Sequence, residues 1–250
     1  MKKIINYIKN DINESIKDFK SIKIKKLENK KNYKWVLIIF AFLFYQAQYY
    51  FWPKFISDFF IETLKIPVYG YLLILDLITL FAVILAFKNE LKKSMKHFKK
   101  NLKNFLKYLL YTMIVFATLS AIITLLCNLI VGDIPENQSA LEAYNYLYLL
   151  FGSIIYAPIV EELIYRGVLR KIIKNDKIFI IISGIIFGLA HVIGSSSIIQ
   201  YIYIFDYGFC GAYLAYLYTR YNNIYLNMSA HFIMNFIATL SMLIRLIIGG

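Results

Sequence analysis

Seven apolar blocks alternate with short polar connections along the chain, near 35–52, 68–87, 105–131, 146–170, 178–193, 198–219 and 223–248. Each is close to the length of about 20 residues that a membrane-spanning helix needs, and 178–193 is the shortest. Ahead of them, Ile5, Ile8, Ile12, Ile16, Phe19 and Ile22 recur at steps of three and four among many lysines, which predicts an amphipathic helix lying on the membrane surface. A partly disordered basic tail is the alternative for this stretch. The pattern predicts an all-α, polytopic membrane helical bundle of about seven transmembrane helices (35–250), preceded by a basic amphipathic N-terminal segment (1–34). No internal repeat, Gly/Pro linker or soluble domain is visible. With the first apolar run starting at Trp35 and no small-residue cleavage site after it, the first helix is expected to stay as an anchor.

Charge sets the expected orientation. Lysine and arginine accumulate on cytoplasmic connections. They crowd residues 1–34, the connection at 88–104 (Lys88, Lys92, Lys93, Lys96, Lys99, Lys100, Lys103) and that at 166–177 (Arg166, Arg170, Lys171, Lys174, Lys177). The loop at 132–145 has Asp133, Glu136 and Glu142 with no basic residue, and the turn at 194–197 has no charge. The N-terminus is therefore expected in the cytoplasm, and seven crossings satisfy every loop, with Arg245 a mild dissent.

Composition agrees. The 250 residues are 60% hydrophobic, above the roughly 45–50% of soluble domains, and mean hydropathy is +0.58. The formal charge of +13 lies in stretches flanking apolar blocks, which points to anionic lipid headgroups as partner and away from nucleic acid. The rich use of Lys, Ile, Asn, Tyr and Phe suits an AT-rich bacterial genome and hence a bacterial plasma membrane. Cys127 and Cys210, in different apolar blocks, read as packing residues.

Against that apolar background, ionisable residues need a reason, because a charge at the bilayer centre costs about 2.5–3.5 kcal/mol on insertion scales. The segment from Pro158 to Gly167 holds Glu161, Glu162 and Arg166. Glu162 and Arg166, four apart, share a helix face and can pair; Glu161 sits about 100° round the helix without a sequence-local partner. Of three histidines, His191 and His231 fall inside apolar blocks, and Asn235 follows His231 by one turn. Counted from the cytoplasmic ends, Glu161 and His231 lie ~13 Å deep and His191 ~21 Å, a misfit of ~8 Å. Gly184 and Gly188 are spaced to let a neighbouring backbone approach the His191 helix. Asp76 and Asp206 are expected to be paired structurally, and Asn128 to bond between helices.

Glu161-Glu162-x-x-x-Arg166, then Phe187-x-x-x-His191, then His231-x-x-x-Asn235, in that order on successive apolar helices, resembles the CPBP family. That family comprises type II CAAX prenyl endoproteases and bacteriocin-processing or immunity proteins, also called the Abi family. The resemblance covers about residues 146–240 and implies an intramembrane endopeptidase whose catalytic groups open toward the cytosol. Residue by residue it implies Glu161 as the base that activates water, His191 as its partner on that water, and His231 and Asn235 as donors to the oxyanion. Glu162, Arg166 and Phe187 would support the site or bind substrate, Arg166 through a substrate carboxylate. Glu161, His191 and His231 also form a known type of zinc ligand set, two imidazoles and a carboxylate. A metal-free mechanism is favoured, since with Glu161 on a metal and Glu162 paired no carboxylate remains as base. The expected substrate is a membrane-associated peptide or protein: a prenylated CAAX peptide for eukaryotic members, bacteriocin precursors, pheromones or membrane-protein tails in bacteria. Two rivals stand beside the enzyme. One is a non-catalytic immunity or scaffold protein that binds a peptide partner. The other is a transporter, weakened by the absence of repeated halves.

Overall fold

The computed structural model describes residues 58–142 and 145–249, and all regular structure among them is helical. The amphipathic segment expected at 1–34 and the apolar block at 35–52 lie outside the described residues. A short π-helical turn, Phe59–Thr63, precedes α1 (Val68–Lys100) and α2 (Leu102–Val131). A short α3 (Glu136–Glu142) leads to α4 (Tyr146–Ile172), followed by α5 (Asp176–Val192), a 3-10 segment (Ile198–Tyr203), α6 (Ile204–Tyr221) and α7 (Ile224–Gly249).

The helix ends follow from local chemistry. Pro67, with its fixed φ, opens α1. Gly132 closes α2 at φ 78°, a left-handed conformation that costs glycine no Cβ clash. The side chain of Asn175 accepts from the Ile178 N–H at the start of α5, and that of Asn223 accepts from Tyr225 and Leu226 at the start of α7.

By length and composition α1, α2, α4 and α7 can cross a membrane. Helix α5, with 17 residues, reaches only ~26 Å against a hydrocarbon thickness of ~30 Å. The basic connection expected at 88–104 is mostly helix: α1 runs unbroken to Lys100. Nothing between 88 and 100 is Gly or Pro, and Phe87, Leu91 and Ser94 keep one face buried, with Ser94 Oγ accepting from the Ile224 N–H. The lysines occupy the other, exposed side of that helix.

Helix α4 is the axis of the bundle. Every residue from 160 to 169 is buried, and Val160, Leu163, Ile164 and Val168 join one core with Val83 and Phe87 of α1, Phe179 and Phe187 of α5, and Met228 of α7. Helix α2, by contrast, exposes Leu106, Leu110, Ile114, Leu125 and Leu129, as a lipid-facing helix would. The Gly184/Gly188 spacing does permit a close approach, but the neighbour is α6 and not the carboxylate-bearing α4. A Cβ on Gly184 would stand 2.8 Å from the Gly208 carbonyl oxygen, and one on Gly188 2.7 Å from that of Ile204.

The two ends of the bundle separate as their charges suggest. At one, Lys171 of α4 pairs with Glu90 of α1 at 3.0 Å, and Asn223 donates to the Ser94 carbonyl at 3.1 Å. At the other, Glu136 accepts from the backbone N–H and hydroxyl of Ser196, and Tyr203 donates to the Asp133 carbonyl. Embedded acids find hydroxyl partners: Tyr148 donates to Asp76 and Thr124 to Asp206, each at 2.9 Å. Asn128 bonds across helices as expected, its Oδ1 2.6 Å from the Tyr203 hydroxyl, whose single hydrogen is shared with the Asp133 carbonyl.

Candidate active site

Helix α4 is not a regular α-helix. Two π-helical stretches, Phe151–Tyr156 and Glu162–Val168, flank an α-helical Ala157–Glu161. π-Helical turns are rare and occur frequently at functional sites. Here the junction between α and π geometry falls between the two adjacent glutamates, and their side chains meet different surroundings.

Glu162 is completely enclosed. Its Oε1 accepts from Arg166 Nη1 at 2.9 Å and lies 2.9 Å from His231 Nδ1; its Oε2 accepts from Asn227 Nδ2 at 3.1 Å. Arg166, equally enclosed, donates through Nη2 to the Gly211 carbonyl at 2.8 Å and lies 4.9 Å above the Phe187 ring. Both terminal nitrogens of Arg166 are thus engaged, so the geometry favours its supporting role over contact with a substrate carboxylate. Phe187 is likewise a wall of the cluster, edge-on to Tyr165 at 5.4 Å.

Glu161 is buried, with its Oε2 4.0 Å from His231 Nε2. The two nitrogens of His231 therefore face two different carboxylates. A carboxylate bonded to Arg166 can only accept, so Nδ1 of His231 carries a hydrogen toward Glu162. In the neutral ring Nε2 then bears the lone pair on the Glu161 side; in the imidazolium it becomes a donor there. His191 follows the same rule. Its Nδ1 donates to the Phe187 carbonyl at 2.8 Å, which leaves the lone pair of the neutral ring on Nε2. The His191 ring lies between Phe187 and Tyr207, 4.5 Å from each, and within electrostatic reach of Glu161, His231 and Arg166.

The structure thus brings Glu161, Glu162, Arg166, Phe187, His191 and His231 into one cluster. Part of the depth misfit disappears because Arg170 lies over Phe179, more than half a turn into α5. Counted from that level, His191 is ~18 Å deep and Glu161 ~13 Å, a difference within reach of helix tilt. Asn235 stands one turn beyond His231, but its amide donates to the Ser153 carbonyl in the first π-helical stretch at 2.8 Å. Its second N–H is the one open to other use. The zinc set is right in kind, with two Nε2 lone pairs and a carboxylate. Among the described residues, however, no three His, Cys, Asp or Glu side chains gather closely enough to hold an ion.

One member of the cluster escaped the sequence reading: Asn227, whose amide bridges Glu162 and the Leu214 carbonyl. A signal existed. Asn223, Asn227, His231 and Asn235 recur every four residues along an otherwise apolar stretch, a polar stripe pointing at one neighbour.

Comparison with known proteins bears on the same part of the chain. Residues 143–237, which contain α4 to the middle of α7, match the family model described as type II CAAX prenyl endopeptidase Rce1-like. The UPF0177 protein YvdC of Lactococcus lactis subsp. lactis (strain IL1403) is 35% identical over 80 residues, 32% of this chain and 29% of that protein. These matches support the resemblance of this part of the chain to the CPBP family. The chain spans about 29% of the length of this curated relative. No solved structure matches. The matched range contains the residues that form the buried network, whereas α1 and α2 lie outside it. The matched family and the apolar helices together indicate an integral membrane protein.

Proposed function

We propose that the protein is an intramembrane endopeptidase that hydrolyses peptide bonds of a membrane-associated peptide or protein, with Glu161 as general base. The observation that carries this reading is the division of labour between adjacent carboxylates. Glu162 is held by Arg166, Asn227 and His231, while Glu161 stands beside the outward nitrogen of His231. In the proposed reaction Glu161 takes a proton from a water that His191 Nε2 helps orient. The resulting hydroxide attacks the scissile carbonyl carbon. The oxyanion is stabilised by the remaining N–H of Asn235 and by His231 Nε2 in its imidazolium form. The proton held by Glu161 passes to the departing amine as the C–N bond breaks. No step is routed through a metal. The site would sit nearer the cytoplasmic face of a bacterial plasma membrane, with the lysines of α1 toward anionic headgroups.

Detergent-purified protein incubated with a quenched fluorescent peptide library tests the proposal. Cleavage by wild type that falls at least about 100-fold in Glu161→Gln and persists in chelator is the expected result. Loss on chelation with restoration by zinc would replace the base mechanism by a metal one. The engagement of Asn235 with Ser153 favours a second reading, a non-catalytic immunity or scaffold protein. Biological activity that survives Glu161→Gln, with no cleavage by wild type, would establish that reading instead.

A further inference from the structure

We propose that Asn227 is a positioning residue for His231, acting through Glu162. Its orientation is unambiguous, because both partners of its nitrogen are acceptors: Glu162 Oε2 at 3.1 Å and the Leu214 carbonyl at 2.6 Å. One short side chain on α7 thereby ties α4 to α6 with both of its N–H bonds, and it is fully buried. Apolar side chains of the same shape would fill this place in a membrane bundle at less cost, since a buried amide must satisfy every polar atom and Asn227 Oδ1 has no hydrogen-bond partner. The arrangement makes sense as a constraint on Glu162. A carboxylate can rotate about its last bond and offer either oxygen. With Arg166 on Oε1 and Asn227 on Oε2, the plane of Glu162 is fixed, and Oε1 is aimed at His231 Nδ1. The imidazole must then keep its hydrogen on Nδ1 and turn Nε2 toward Glu161. Asn227 and His231 stand one turn apart on α7, so the residue that sets the carboxylate and the residue the carboxylate sets move as one body.

The tautomer stands on geometry alone; only the consequence for rate rests on the protease reading above. The test is 15N NMR of the detergent-solubilised full chain labelled at histidine, at a pH where the ring is neutral, comparing wild type with Asn227→Leu. Wild type is expected to show His231 protonated at Nδ1 and bare at Nε2. Asn227→Leu is expected to give a mixture of tautomers in the neutral ring and, because the imidazolium that donates from Nε2 is no longer held in place by a fixed Glu162, a kcat lower by roughly ten-fold in the peptide assay with KM little changed. Asn227→Ser, smaller and able to donate to one acceptor only, gives the same reading should the leucine variant fail to fold. A folded Asn227 variant with the wild-type His231 nitrogen spectrum overturns the proposal. Absence of cleavage by wild type would count against the protease reading alone, since the NMR comparison still decides the role of Asn227.

Discussion

The two halves of the bundle differ in where buried charge is placed. In α1 and α2, Thr79, Thr112, Thr118 and Thr124 each donate to a carbonyl four residues earlier in their own helix. For Thr79 and Thr118 the bond closes locally and ties nothing together; Thr112 and Thr124 also meet a neighbouring helix, through the Tyr213 hydroxyl and the Asp206 carboxylate. From α4 to α7, Thr219 and Ser229 bond locally in the same way, but the buried network runs between helices and carries charge: Glu162 to His231, Arg166 to Gly211, Asn227 to Glu162. A local bond satisfies a polar atom wherever the helix goes, whereas a cross-helix network fixes the helices relative to one another. The half that matches the CPBP-type protease family is the half built in the second way. The expensive desolvation of an ion pair is spent where geometry has to be held to fractions of an ångström.

The sharpest way to break this contrast is to remove one partner from each half. Arg166→Met strips Glu162 of its enclosed cation and should destabilise the protein by about 3–5 kcal/mol, because an uncompensated charge is left buried. Thr118→Val, which deletes a local bond on an exposed face, should stay within about 0.5 kcal/mol. Thermal or denaturant unfolding in one detergent compares them directly. Equal losses would mean that the network does no more than the helix-internal hydroxyls.

Close packing of α5 on α6 is the second difference, and it too can be pushed. In Gly184→Val the added Cβ would meet the Gly208 carbonyl oxygen at 2.8 Å and the Ala212 Cβ at 3.1 Å. Separating the helices should cost about 1–3 kcal/mol and displace His191, so cleavage should fall together with stability. The same substitution at Gly152, where no atom lies within 4 Å of an added Cβ, should be far milder. If the two variants melt alike, the glycine pair is not what holds α5 to α6.

How much of this was legible in the sequence depends on whether the determining contact was local. The Glu162–Arg166 pair follows from spacing alone, and the apolar blocks at 68–87, 105–131, 146–170, 178–193, 198–219 and 223–248 all fall on helix. Extension of α1 through its lysines was missed because charge was read as a boundary, when only the buried stripe of Phe87, Leu91 and Ser94 decides whether a helix continues. The partner of the glycine pair could not be read, since a small-residue stripe says that something packs there but not what. The π-helical turns of α4 are equally invisible: they leave composition unchanged and alter only which way successive side chains point. Asn227 was readable from its four-residue period, yet its role depends on a contact with Glu162, 65 residues away in sequence.

A smaller effect tests Asp76, which belongs to the first half but bonds across to α4. Tyr148→Phe removes the hydroxyl that donates to it and should cost about 1 kcal/mol, more than Thr118→Val and less than Arg166→Met. That order in the same unfolding measurement would place a single cross-helix bond between a local bond and the charged network. A loss as large as that of Arg166→Met would remove the distinction between the halves.

The smallest expected effect lies outside the membrane, at the clasp between the loops that close the far end. Glu136 accepts from the Ser196 backbone N–H at 2.7 Å and the Ser196 hydroxyl at 2.8 Å. These donors, the backbone N–H foremost, hold its carboxyl below the usual glutamate range. A carboxyl whose affinity for protons drops on folding contributes stability above its unfolded pKa and loses it as pH falls through the lower, folded value. The clasp should therefore persist into moderately acidic solution and open only below the titration range of an ordinary glutamate. The Ser196 amide proton reports it: its downfield NMR shift should collapse with a midpoint under about 4.3, the ordinary glutamate value, and should be flat with pH in Glu136→Gln. A midpoint at the ordinary value would show the two loops to be apart in solution. Because the clasp is solvated and carries no part of the buried network, its opening should leave the unfolding temperature and the cleavage rate almost where they were, which is the outcome that most cleanly separates holding a loop from holding a site.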